Sequence, residues 1–525
     1  MPNRDLKLLN ELTETIEDII PKITETLKKN GYDNINFNKL EHPIDTTVTE
    51  YLKKLKDTIR DSDDDYHIFN SIETIKELWK IIIGKSIKCL RSFDTREPFL
   101  AQTNKHPIAY GVNELSDYFE DYSEFESMLY GGGKYYRDHV VHVFRVWLLG
   151  LACLLDNDAD YLYKMNIQQD IEINPLEKVS IWSMIALTHD LGYPLEKAQE
   201  IIDKTKNMMK SFVSNPIVSM DLSFNGVQNN MNDFVIRFMS SKMHEANTIC
   251  PKEDVKDVSL KEYVARLQPK YYFKLQKSLE RCKHGILSSI IIYKLLIYFL
   301  ESDFNINEDY RFNEEDARQF YIRREILRSI AAHTCHDIYH LNMLSFAYLL
   351  IIADDSQEWG RKRLSELYVK SNSKYEFGDI IPHFNVSTNK QGDPVHECTI
   401  SEQFEFPASD MDGVKRILKS LLSQYESYKA IFRDGQDTAN RNFIFKKQCT
   451  IISNKTRKPT YTVEFKIPNE DRSSFEIRLS STDVDRDKDS LGDSLLKEVY
   501  GKSRVLTTGE VNNNELLFIL KDTDE

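Results

Sequence analysis

The residues best able to do chemistry in this chain are histidines and aspartates set on apolar helical stretches. Thr188-His189-Asp190-Leu191-Gly192-Tyr193-Pro194 closes the apolar run that starts at Ile181. A helix whose last turn offers an imidazole and the adjacent carboxylate, and which Gly and Pro then stop, can aim both groups at one cation. Upstream, Arg137-Asp138-His139-Val140-Val141-His142 puts His139 and His142 three apart on one helical face. Downstream, Lys283-His284-Gly285 opens the apolar stretch 286–300. Ile330-Ala331-Ala332-His333-Thr334-Cys335-His336-Asp337-Ile338-Tyr339-His340 then sets His333, His336 or Asp337, and His340 along one stripe. Last, Asp354 and Asp355 interrupt an otherwise apolar helix. A buried carboxylate needs a cation partner, and a metal is the strongest available. A single His on a buried helix face is normally a satisfied core residue; the ordered set is what points to a metal site.

This order, on helices throughout, resembles the HD-domain superfamily of metal-dependent phosphohydrolases. The resemblance covers about residues 130–365, under half of the chain, and is carried by the stretches HDLGYP, KHG, AAHT and IADD. It implies an all-helical core in which His142, four residues before Val146, is the first ligand, with His139 as the competing register. His189 and Asp190 match the signature pair, and Asp354 matches the terminal aspartate. In members with two metals, further histidines complete the second site around the shared aspartate, and His284 and His333 occupy that order here. One or two divalent metals per chain are therefore expected. Imidazole and carboxylate suit Mn, Mg, Fe, Co, Ni or Zn without separating them.

Such a site would hydrolyse a phosphate ester or anhydride by activating water and neutralising phosphate oxygens. Asp190 is expected at its centre, with His336 and Asp337 as candidates for protonating the leaving group. Lys134, Arg137, Arg145, Lys197 and Arg361 lie near the ligands in sequence and are candidate phosphate clamps, with His139 beside them on the substrate side. Each clamp reads equally well as an ordinary ion pair or a solvated side chain. Gly131-Gly132-Gly133-Lys134 is not a Walker A loop, because Tyr135 follows the lysine, and Ile83-Gly84-Lys85-Ser86 fails because position 79 is Trp.

The deoxynucleotide triphosphohydrolases of the superfamily typically carry H-D-x-G-H-x-P-F-x-H. Both later histidines are missing from His189-Asp190-Leu191-Gly192-Tyr193-Pro194-Leu195-Glu196-Lys197-Ala198, which puts that acid–base machinery in doubt. The resemblance favours a nucleotide phosphohydrolase, with a (deoxy)nucleoside triphosphate marginally ahead. The alternatives are a phosphodiesterase or nuclease acting on a cyclic or signalling nucleotide or a single strand, and, third, a non-catalytic nucleotide-binding scaffold. A nucleotide activator, a homo-oligomer and a role in anti-phage defence are compatible with the resemblance.

The elements that must position these residues are mostly helices. Only 18 Gly and 15 Pro occur among 525 residues, well below average usages of ~7% and ~5%, which favours long helices over many tight turns. Residues 1–95 read as a helical N-terminal extension, with Leu6, Leu9, Leu12, Ile16, Ile19 and Ile20 spaced mostly by three and four. Residues 96–368 read as the HD-type domain, carrying a polar insertion at about 200–278. Residues 369–525 change texture to period-two alternation, as at 396–406, 461–467 and 475–479, with a helix at 412–432 between strands. This is expected to be a separate α+β domain, regulatory or oligomer-forming. The fold expected is thus mainly α, with an all-helical core.

The net charge of −14 disfavours an extended phosphate-tracking surface for nucleic acid but leaves room for a local basic pocket. Seven scattered Cys with no C-x-x-C pair read as reduced thiols, and with no secretion signal or ~20-residue apolar span the expected location is cytoplasmic, with no membrane partner.

Overall fold

The computed structural model describes residues 3–32, 37, 39–59, 67–93, 111–132, 138–156, 161–165, 171–209, 227–246, 261–295, 310–335, 344–357, 359, 383–388, 394–406, 443–453, 459–467, 474–481, 505–512 and 515–521. Its contacts divide into two units. The first comprises Met1–Leu155, Leu162–Cys335 and Leu344–Ile351; the second comprises Asp156–Tyr161, His336–Met343 and Ile352–Glu525.

The first unit is mainly helical. Its helices are α1 (Arg4–Lys29), α2 (Thr46–Ile59), α3 (Ile72–Ser92), α4 (Val112–Gly132), α5 (Val140–Leu155), α6 (Pro175–Thr188), α7 (Tyr193–Met209), α8 (Val227–Ser240), α9 (Pro269–Glu280), α10 (His284–Leu295) and α11 (Glu314–Ala332); α12 (Phe346–Ser356) begins in it. At the amphipathic end of the range, α1 buries Leu8, Leu9, Leu12, Ile16, Ile19, Ile23 and Leu27, the spacing that lines one helical face. Its start is fixed by Asn3, whose side-chain oxygen accepts from the Leu6 amide at 3.2 Å. The N-terminal helices pack on later ones: α1 on α5, and α3 on both α5 and α6.

At the other extreme, every residue of α6 is buried, as expected for a helix surrounded by others. A capping box starts it: Asn174 accepts from the Glu177 amide, Glu177 accepts from the Asn174 amide, and Pro175 occupies the first turn. Its indole and hydroxyl groups are satisfied internally. Trp182 Nε1 donates to the Trp147 carbonyl at 3.1 Å and Trp147 Nε1 to Ser183 Oγ at 2.9 Å. Where α5 crosses α6, Gly150 lies under the Trp182 indole, so that a Cβ there would sit 1.8 Å from a ring carbon. Gly150→Ala is therefore expected to lower stability by about 1–3 kcal/mol through overpacking, read as a lower denaturant midpoint; an unchanged midpoint would remove the crossing from the account.

Two strands, β1 (Ser241–Glu245) and β2 (Tyr263–Leu267), form an antiparallel ribbon inside the polar insertion expected at about 200–278. The free edge of β1 is covered by α11: Tyr321 Oη donates to the Met243 carbonyl at 3.0 Å and Arg324 Nη1 to the Ser241 carbonyl at 3.1 Å. Those bonds satisfy main-chain acceptors that an open edge would leave exposed.

In the second unit, seven strands form one sheet: β3 (His383–Thr388), β4 (Pro394–Phe406), β5 (Phe443–Ser453), β6 (Pro459–Ile467), β7 (Ser474–Ser481), β8 (Val505–Asn512) and β9 (Glu515–Lys521), in the order β3-β4-β5-β6-β7-β9-β8. Alternation sets its buried face, with Cys398 and Ile400, Phe445, Cys449 and Ile451, Val463, and Ile477 and Leu479 all inside. All neighbours are antiparallel except β4 and β5, which run parallel from His396↔Phe443 to Phe406↔Ser453. A parallel pair requires a crossover of a dozen or more residues, and the expected helix at 412–432 falls in that connection, outside the described residues. No described helix is long and apolar enough to cross a membrane.

Candidate functional site

The site forms where α6 ends. The α6 carbonyls run out at Thr188, His189 takes the cap position, and a turn leads through Asp190 and Gly192 into α7. Gly192 is needed there for space: a Cβ would lie 2.4 Å from the His284 carbonyl oxygen and 2.7 Å from the Ser288 amide nitrogen. The bare backbone instead brings its own amide to Ser288 Oγ at 2.8 Å. Two helices of the N-terminal part fix the same turn. Trp79 Nε1 on α3 donates to the Leu187 carbonyl and Tyr118 Oη on α4 to the Leu191 carbonyl, both at 2.8 Å.

Four imidazoles converge on the carboxylate of Asp190. His142 Nε2 lies 3.8 Å and His189 Nε2 3.5 Å from Oδ2, while His284 Nε2 lies 3.3 Å and His333 Nε2 3.7 Å from Oδ1. Each element contributes at an end or an inward face: His142 from α5, His189 from the cap of α6, His284 from the first residue of α10, His333 from the cap of α11. Gly285 allows the last two to approach, since a Cβ there would sit 2.9 Å from His333 Cε1.

The opposite ring nitrogens decide what these Nε2 atoms are. His189 Nδ1 is 2.8 Å from the Ala186 carbonyl and His333 Nδ1 2.5 Å from the Ile330 carbonyl. His284 Nδ1 is 2.6 Å from Glu196 Oε2. A carbonyl or carboxylate oxygen only accepts, so each Nδ1 carries the hydrogen, and in the neutral ring each Nε2 presents its lone pair to Asp190. Lone pairs aimed at an anion repel it unless a cation lies between them. Histidine ligands of metals are oriented in this way, donating their other N–H to a carbonyl or carboxylate. Without a cation between them the rings must instead be protonated to face Asp190; burial alone would push its carboxyl up, but protonated His189, His333 and His284 outweigh burial and hold it well below the usual carboxylate range.

Three overlapping groups have ligand atoms mutually within 4.8 Å: His142, His189 and Asp190; Asp190, His284 and His333; and His189, His333 and Asp354, the last on the final turn of α12. These residues could hold a metal ion. Asp190 belongs to two of the groups, which makes it the natural shared carboxylate if two ions bind. His139 belongs to none of them. It is buried, and its ring lies 4.0 Å, centroid to centroid, from that of Tyr193; of the two registers, the candidate groups contain His142.

Arg145 requires a correction. Although it follows His142 by three residues, it is 1% exposed, and its Nε and Nη2 hold both oxygens of Asp5 at 2.8 and 2.6 Å. A guanidinium whose fork is spent on a buried carboxylate is a structural tie between α1 and α5, not a phosphate clamp. Lys197 is half-buried on α7, with Nζ 3.0 Å from Glu200 Oε2 and 5.0 Å from the Tyr193 ring centroid. Lys134, Arg137, His336, Asp337 and Arg361 lie outside the described residues.

Sequence reasoning missed two residues. Tyr193 fills the space between His139 and His284, with its ring 5.4 Å from that of His284. Glu196 binds the His284 ring through Oε2, accepts the His284 amide on the same oxygen at 2.8 Å, and takes Lys283 Nζ on Oε1 at 3.0 Å. Its carboxyl is drawn down to about 2: burial opposes ionisation, but the hydrogen bonds and charge of a protonated His284, with the hydrogen bond from Lys283, prevail. Glu196→Gln is expected to weaken metal binding at the His284 side by about 10–100-fold, measured by competition with a chromogenic chelator. Unchanged affinity would detach Glu196 from the metal site.

No protein-family model, no curated protein and no solved structure matches this chain.

Proposed function

We propose that the chain is an HD-type metal-dependent phosphohydrolase that cleaves a phosphate ester or anhydride bond of a nucleotide, with a (deoxy)nucleoside triphosphate as the favoured substrate. The observation that carries this reading is the convergence of the His142, His189, His284 and His333 Nε2 atoms on the single carboxylate of Asp190. The order of these residues along the chain, ending in Asp354, is the HD order.

Bound there, one or two divalent ions would activate water near neutral pH and offset charge on phosphate oxygens. The chain's own residues do the rest. Ala186, Ile330 and Glu196 hold the rings of His189, His333 and His284 in fixed orientation, so the ligand set needs little rearrangement. Burial of His142, His189 and Asp190 keeps bulk water from competing for the carboxylate. Lys197 and Tyr193 border the ligand cluster on the α7 side, where the lysine can exchange Glu200 for a substrate phosphate. Proton donation by His336 or Asp337, and clamping by Lys134, Arg137 and Arg361, rest on their place in the sequence.

The test is phosphate release from a panel of nucleoside mono-, di- and triphosphates and cyclic nucleotides, with Mn, Mg or Co. Metal-stimulated release from a triphosphate, abolished by chelator, is the expected result. Release from cyclic nucleotides alone would move the substrate to the phosphodiesterase class, and no release with any metal would overturn the enzymatic reading.

A further inference from the structure

A second concentration of charge lies away from the metal ligands, where the β1–β2 ribbon meets α11. Lys242 and Arg266 are exposed and sit directly opposite each other in the ribbon register. Like charges in cross-strand pairs are destabilising. His244, two residues along β1, shares their face by the period of two, and burial and then the fields of Lys242 and Arg266 hold its imidazole below the ordinary histidine value. Glu262 continues this face one same-face row beyond the His244–Val264 pair, about 13 Å along the strand from Arg266.

Arg324 links the ribbon to a further cation. Its Nη1 donates to the Ser241 carbonyl, next to Lys242; its Nε, fully buried, has no hydrogen-bond partner among the described residues; and its nearest carboxylate, Glu325, is 3.9 Å from Nη2. One helical turn on, Arg328 lies over the Tyr271 ring at 4.2 Å. Among the described residues, no carboxylate forms an ion pair with Lys242, Arg266 or Arg328. In a chain of net charge −14, cations grouped against so few carboxylates call for an anion of high charge density.

We infer that the ribbon face of Lys242, His244 and Arg266, with Arg324 and Arg328 of α11 beside it, is a binding site for a polyphosphate group, free or as the phosphate chain of a nucleotide. The site does not depend on the metal chemistry proposed above. It does share α11 with it: Arg324 precedes His333 by nine residues, about 13 Å along the helix, so a ligand that draws on the ribbon pulls on the helix that carries a metal ligand.

The experiment is calorimetric titration of the full chain, in chelator so that the metal site cannot contribute, with inorganic tripolyphosphate and separately with a nucleoside triphosphate. Both are expected to bind, more weakly as salt is raised. Lys242→Ala/Arg266→Ala, at exposed positions where folding is retained, is expected to weaken both by about tenfold or more, and Arg328→Ala to weaken them also. Equal affinities would make the phosphate chain the whole determinant; tighter nucleotide binding would add a base contact to it. Absence of binding by wild type, undiminished affinity in the double variant, or binding only of a single-stranded oligonucleotide would each overturn the inference.

Discussion

Asp190→Ala is expected to strip the chain of divalent metal and to lower metal-stimulated phosphate release by about 10³-fold or more, with the helical spectrum largely unchanged. The magnitude follows from the geometry. Asp190 lies within 3.8 Å of all four imidazoles. Its loss removes a ligand from two of the three candidate groups at once, and the several kcal/mol that a bound cation contributes to phosphoryl transfer goes with it. The fold should tolerate the change, because the turn carrying Asp190 is held by the Trp79 and Tyr118 bonds to main-chain carbonyls, not by the carboxylate. His284→Ala makes a graded comparison. It leaves His142, His189 and Asp190 in place and should take metal content from two toward one per chain. Turnover retained by Asp190→Ala, or stoichiometry unmoved by His284→Ala, would remove the respective residue from the site.

Asp5→Ala has the largest expected effect on stability, about 3–5 kcal/mol, because it leaves a buried guanidinium without its carboxylate. Both side chains are essentially inaccessible, at 0% and 1% exposed, and both carboxylate oxygens are engaged. Arg145 is one turn along α5 from His142, so the same variant should also weaken metal binding by loosening the helix that presents the first ligand. Replacing both partners by apolar residues, Asp5→Leu with Arg145→Met, should recover much of the loss, since a buried pair is commonly worth little more than the hydrophobic groups that could replace it. The check is the denaturant midpoint of the two single variants and the double. A single variant as stable as wild type would show that α1 is not tied to α5 in this way.

How far the sequence could be read depended on how local each cause is. The candidate ligand residues were legible because metal chemistry restricts residue type, and because His189-Asp190 and His284 mark helix ends through neighbouring Gly and Pro. The alternation at 396–406, 461–467 and 475–479 was legible for a similar reason: a half-buried strand repeats every two residues, as Cys398 and Ile400, and Ile477 and Leu479, do on the buried face. Arg145 was not legible. A cation one turn from a metal ligand suits a phosphate clamp and a structural pair equally, and only the arrival of Asp5, 140 residues away in sequence, separates them. Glu196 carries no signature of its own on an amphipathic helix; its role comes from α10 starting beside it. The ribbon was hidden because Ser241-Lys242-Met243-His244-Glu245 is short and polar, and its partner strand lies beyond a polar stretch. The parallel pairing of β4 with β5 is likewise a property of the assembled sheet, absent from either strand alone.

The most direct test of the central claim is anomalous diffraction from crystals of the chain grown with Mn, recorded at the Mn absorption edge. Two peaks are predicted, one bonded to His142, His189 and Asp190 and one to Asp190, His284 and His333, with the Asp190 carboxylate between them. A map with no anomalous peak within bonding distance of Asp190 would contradict the account.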